Sequence, residues 1–146
     1  VTTQTVEITG KGSMDFRINH RFAPLNQGFY NLFGFDFVAA RIGFDFGLAE
    51  NVMIGIGRTG TNKEADAFVK YRLLRQSSGV KNVPVSVSLL GSVMYRGLRY
   101  ADPTLNVKTQ DRTYYTAQLM IARKFNENTS LQISPTYTRY NRILFL

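Results

Sequence analysis

The chain has no cysteine, no tryptophan and a single histidine in 146 residues. Without cysteine there is no disulfide framework, no thiolate metal site and no thiol nucleophile. With His20 alone, a multi-histidine metal site within the chain is excluded too. No stretch approaches the ~18 consecutive apolar residues of a transmembrane helix. That absence leaves the other way of crossing a membrane open, because a β-barrel has only a weak signal per segment. Acidic residues are scarce: ten Asp and Glu stand against eighteen Lys and Arg, a net charge of +8. Such a balance suits nucleic acid, anionic lipid or small anions as partners. At the start, Val1 follows no charged-then-apolar leader. The sequence therefore reads as a mature form or an engineered piece, with any secretion signal lying outside it.

What is present is hydrophobic alternation. Apolar residues make up 44%, enough for a folded domain, and the length suits one domain over residues 1–146. From 37 to 47, Val38, Ala40, Ile42, Phe44 and Phe46 alternate with Ala39, Arg41, Gly43, Asp45 and Gly47. A helix would smear these two sets around its circumference, so period 2 predicts a strand. The same alternation recurs around Phe16, Ile54, Val69, Leu89, Leu119 and Ile133. Seven strands are predicted, with a possible eighth beginning at Ile143. Residues 3–10 also alternate and are a candidate for a further strand.

The connections alternate in length. Tight polar turns fall at 48–51 and 126–128, with a slightly longer one at 76–82. Wider connections fall at 24–34, 59–64 and 97–112. An antiparallel meander whose short turns share one end gives this order, and outer-membrane barrels have that asymmetry. Strands of roughly 9–12 residues match a tilted membrane crossing better than the ~5–6 of a soluble sandwich.

The apolar face is free of charge at mid-strand, while the other carries Gly, Ser, Thr and Ala with scattered charges. In a membrane barrel the apolar face meets lipid and the lumen is polar. Val38, Ile42, Phe44, Ile54, Leu89, Leu119 and Ile133 are accordingly assigned to lipid. Asp15, Arg17, Arg41, Asp45, Asp66, Lys70, Arg72, Arg96, Gln118 and Lys124 are assigned to the lumen. Such charges either bias a pore toward anions or pair into a network that fills it; the network is the favoured reading. Aromatic residues such as Phe22, Phe33, Tyr95, Tyr100, Tyr114, Tyr115, Tyr137 and Tyr140 cluster near strand ends, as interfacial girdles do.

Several motifs are set aside. Gly55-Ile56-Gly57-Arg58-Thr59-Gly60 spells a dinucleotide fingerprint, yet its glycines lie within a strand and no helix follows to hold a pyrophosphate. Glycines that relieve crowding inside a barrel explain it better. His20 lacks a recognisable nucleophile nearby and reads as a polar residue at a strand end. Aromatics interleaved with Arg would suit single-stranded nucleic acid, but the basic residues fall mostly on one alternating face and form no groove. No cofactor, no metal, no nucleic acid and no catalysis are expected.

Several segments together form a recognisable string: Met14-Asp15-Phe16-Arg17-Ile18-Asn19-His20-Arg21-Phe22, Leu32-Phe33-Gly34-Phe35-Asp36, Phe68-Val69-Lys70-Tyr71-Arg72, Ala101-Asp102-Pro103 and Ile121-Ala122-Arg123-Lys124-Phe125. In this order the chain resembles an uncharacterised family of outer-membrane β-barrel proteins from Bacteroidetes, over nearly its whole length. The resemblance implies a Gram-negative outer membrane, secretion by a cleaved signal, and a longer chain than this one. It implies no activity and no functional residues.

The expectation is an all-β antiparallel meander of about eight strands, part of a larger transmembrane barrel. It would be non-enzymatic, either a small porin-like channel or a structural or accessory component. Its surroundings would be outer-membrane lipid, with other outer-membrane proteins or a second copy as possible neighbours. The alternative is a soluble periplasmic lipocalin-like barrel that holds a hydrophobic ligand. The two differ in the direction of the apolar face. An odd strand count further suggests that strands beyond Leu146, a second copy or a partner complete the barrel.

Overall fold

The computed structural model describes residues 4–21, 39–60, 63–98 and 109–140. Eight strands form one sheet: β1 (Met14–Arg21), β2 (Ala39–Ala49), β3 (Val52–Thr59), β4 (Glu64–Leu74), β5 (Ser86–Arg96), β6 (Thr113–Lys124), β7 (Ser130–Ile133) and β8 (Thr136–Tyr140). A 3-10 turn at Thr109–Arg112 precedes β6, and no α-helix occurs among the described residues. Each strand pairs antiparallel with the next from β1 to β7, and β8 also pairs with β6. The turns around residues 50, 79 and 127 therefore share one end of the sheet. Residues 27, 62 and 106, expected at the other end, lie outside the described residues, as do Val38 and the candidate strand from Ile143.

β7 and β8 are one predicted strand broken in two. Both lie along β6, with Ile133 opposite Ile121 and Thr136 opposite Gln118. At the break, the Leu119 amide donates to the Pro135 carbonyl at 3.1 Å. Pro135 has no N–H of its own to give the ladder, which is why the pairing is interrupted there. The meander thus has the expected seven rows. Among the described residues no pairing joins β1 to β7 or β8, so the sheet is open there.

Register sets the two faces. One row runs Phe16, Phe44, Ile56, Ala67, Val93 and Tyr115 across β1 to β6. Its neighbours Ile18, Ile42 and Val69 are about half exposed. The opposite face holds the buried residues: Met53, Phe68, Leu90 and Met120, with Asp45, Lys70 and Ser88. So the larger apolar set points outward and the buried set inward. A soluble lipocalin-like barrel requires the reverse, and that alternative does not hold.

Met53, Phe68, Leu90 and Met120 come from β3, β4, β5 and β6, yet form one cluster with Val6. In a flat sheet β3 and β6 would lie about 14 Å apart at the usual strand spacing. Their convergence on one residue means that the sheet curls, with Val6 in its concavity.

Candidate functional site: the filled interior

Residues 4–10 form no strand, contrary to the expectation from their alternation. They run through the concavity instead, and side chains of the wall satisfy their backbone. The Lys70 ammonium donates to the carbonyls of Thr5 at 3.1 Å and Glu7 at 3.2 Å. Ser88 Oγ donates to the Val6 carbonyl at 3.0 Å. Gln132 both accepts from the Val6 amide at 3.1 Å and donates to the Gln4 carbonyl at 2.8 Å. Farther along, the Gly12 amide donates to the Gly47 carbonyl at 2.8 Å, and Thr9 Oγ1 donates to Asp15 Oδ2 at 2.8 Å. A Cβ at Gly47 would run into the carbonyl oxygens of Thr9 and Gly10. The segment is therefore gripped from β4, β5 and β7, with room left for it at β2. An extended segment that finds no ladder must have its polar groups met in this way.

Above this plug lies an ion-pair layer. Arg41 on β2 crosses over β3 and binds both carboxylate oxygens of Asp66 on β4, Nε to Oδ1 at 2.8 Å and Nη2 to Oδ2. It can do so because Gly43 and Gly57 stand in its path: a Cβ at either position would collide with the guanidinium. Gly55 makes the same allowance for the Phe68 ring and for Asp45. The first two glycines of the apparent dinucleotide fingerprint, Gly55 and Gly57, thus clear space for two large inward side chains. On β1 and β2, Asp15 and Asp45 face each other in register. Arg17 lies between them, its Nε 2.9 Å from Asp45 and its Nη2 3.6 Å from Asp15. Like charges opposite one another destabilise a sheet pair, and the shared cation offsets this. Arg96 pairs with its cross-strand neighbour Glu64 at 3.2 Å and lies over the Tyr114 ring.

Asp45 and Lys70 are 2% exposed, and Arg41, Asp66, Arg72, Arg96 and Gln118 are partly buried on the same face. Asp15 and Arg17 sit on the exposed edge strand, and Lys124 is exposed at the end of β6. Of the residues assigned to lipid, Ile42, Leu89 and Ile133 are exposed on the outer face, and Phe44, Ile54 and Leu119 are half-buried there. His20, one residue before the end of β1, stands opposite Ala40 on the outward-facing parity. Tyr114 and Tyr140 depart from a lipid-facing girdle. They share the inward parity and stack edge-on at 5.0 Å.

Sequence reasoning missed the plug and the apolar cluster beneath it. Met53, Phe68, Leu90 and Met120 stand together on an inward face that is polar and glycine-rich elsewhere. Read together, they signalled that something apolar had to meet them.

An open sheet with apolar residues outward, a polar and glycine-rich inner face, and short turns at one end is a membrane barrel wall. A family profile described as "Membrane bound beta barrel domain (DUF5777)" matches residues 1–145. The chain belongs to that family. No curated protein and no solved structure gives a match. The barrel domain has a second feature at the tight-turn end, a cavity of about 850 Å³. The plug residues Thr5, Val6 and Glu7 line it, together with Arg72, Arg75 and Lys124. Gln76 frames it by a double hydrogen bond to the Lys124 backbone, donating to the carbonyl at 2.7 Å and accepting from the amide at 2.8 Å.

Proposed function

We propose that this domain is a non-conducting, non-enzymatic wall component of an outer-membrane barrel, structural or accessory in role. Its outward face would lie against outer-membrane lipid. Of the two roles open at the outset, channel or accessory part, the filled interior favours the second. The carrying observation is Val6, 8% exposed within the cluster of Met53, Phe68, Leu90 and Met120, with its backbone held by Ser88 and Gln132. Among the described residues, apolar packing around a hydrogen-bonded segment takes up the space inside the curled sheet at that level. The Bacteroidetes resemblance supports an outer membrane as the location. Among the described residues β1 and the row of β7 and β8 have no further strand beside them, which supports completion by further strands, whether from the same gene, a second copy or another outer-membrane protein. Exposed backbone edges are not tolerated in hydrocarbon.

Planar-bilayer recording tests this reading. The protein extracted from native membranes should give no steady conductance. Removal of residues 1–10 should open a current, and Val6→Asp, which leaves the chain length unchanged, should raise it as well. A steady open current from the unaltered protein would refute the closed reading.

A further inference from the structure

Within the described residues, two groups of cations differ in how they are paired. From mid-height to the end with the wide connections, Arg17, Arg41 and Arg96 are each paired with a carboxylate. At the tight-turn end, Arg72, Arg75, Arg123 and Lys124 form no ion pair among the described residues, yet all four line the 850 Å³ cavity. Glu7 and Glu127 also line it, so cations outnumber carboxylates there by four to two.

The groups are held in place rather than loose. Arg72 faces inward from β4 and donates through Nη2 to the Glu50 carbonyl. Its Nε is buried without a hydrogen-bond partner among the described residues. No carboxylate pairs with Arg72 among the described residues, so its remaining guanidinium N–H groups are left for an acceptor in the cavity that the residue lines. The Gln76 clamp fixes the end of β6 next to the segment that follows β4, which carries Arg75. Ser86 Oγ accepts from the Gln76 amide at 2.9 Å, leaving its own O–H to donate into the same space. Behind the floor formed by Thr5 and Glu7 stands the Lys70 ammonium, bonded to their carbonyls.

We propose that this vestibule is a binding site for a small polyanion, one that carries two or more phosphate or carboxylate groups. One anionic group meets Arg72 at the inner wall, and a second meets Arg75 and Lys124 at the rim. A single monovalent anion satisfies only one of these positions. The volume suits a molecule of ordinary metabolite size. The site exists whether or not the barrel conducts, since it lies on one side of the plug.

Tripolyphosphate is the probe, titrated calorimetrically into the full chain in detergent. One saturable site is expected, weakening steeply as salt rises. Arg75→Gln and Lys124→Gln should each lower affinity about tenfold, the usual loss for one charge-assisted hydrogen bond. Adding Arg72→Gln should abolish binding. Because Arg72 is partly buried and its replacement could impair folding, the double variant at Arg75 and Lys124, both exposed, keeps the test decisive. Arg58→Gln, on the outward face, should bind as the unaltered protein does. Inorganic phosphate should bind far more weakly than tripolyphosphate. The proposal is overturned by absence of saturable binding at millimolar probe. It is equally overturned if the double variant binds as tightly as the unaltered protein.

Discussion

Three successive residues of β6 carry the sharpest test of which face meets lipid. Gln118 points inward beside Leu90, Leu119 points outward opposite Leu89, and Met120 points inward into the Val6 cluster. Leu119 is the seventh of twelve residues in its strand, close to mid-height. Arginine there faces hydrocarbon, and such a substitution near a bilayer midplane costs about 2–4 kcal/mol. Arginine at Gln118 enters the polar side and should cost under about 1 kcal/mol, within the range of tolerated lumen changes. At Met120, which is fully buried among apolar side chains, an unpaired charge should cost about 3–5 kcal/mol. The expected order is therefore Gln118→Arg mildest, then Leu119→Arg, then Met120→Arg. Urea titration of the protein refolded in phospholipid vesicles, followed by heat-modifiable gel mobility, gives the three values. If Leu119→Arg were as mild as Gln118→Arg, the outward face would not be in lipid and the orientation would be wrong.

Other consequences follow from the same interior. Gly57→Val should destabilise by about 1–3 kcal/mol, because its side chain displaces the Arg41 guanidinium from Asp66; Gly91→Ala, whose Cβ meets nothing within 4 Å, should be nearly neutral in the same titration. Lys70→Met should free the N-terminal segment by removing two donors to its carbonyls, seen as faster amide exchange at residues 5–8 with the β4–β5 ladder still protected. On intact cells, protease should cut near residues 62 and 106 and spare 50, 79 and 127; cutting at the second set would invert the topology.

How much of this was legible in the sequence depended on the type of signal. Strand positions and faces were, because alternation is local and the pleat turns it directly into two sides. From Phe16 to Ile133 the outward parity found in the structure follows the one read from the residues. The Arg41–Asp66 pair was legible only as two members of a charged face. Its route over Gly57 depends on register between three strands, which no local pattern states. The N-terminal segment was misread for a related reason. Thr5, Val6, Glu7 and Ile8 alternate as a strand does, and extended backbone alternates whether it joins a ladder or is held by side chains. What decides is the presence of Lys70, Ser88 and Gln132 at the right heights on three other strands. The break at Pro135 is legible in principle, since proline cannot donate to a ladder, but the alternation of Leu131, Ile133 and Tyr137 runs on across it.

The chain's lack of cysteine makes the central claim, a barrel interior occupied by residues 4–10, directly measurable. A single cysteine at Val6 is compared with one at Val80, which is fully exposed on the turn between β4 and β5, for reaction with a membrane-impermeant maleimide in native membrane vesicles opened to admit the reagent to both sides. The Val80→Cys thiol should label rapidly, and the Val6→Cys thiol should label only after denaturation. Equal labelling of the two in the folded, membrane-inserted protein would show that the segment lies outside the barrel.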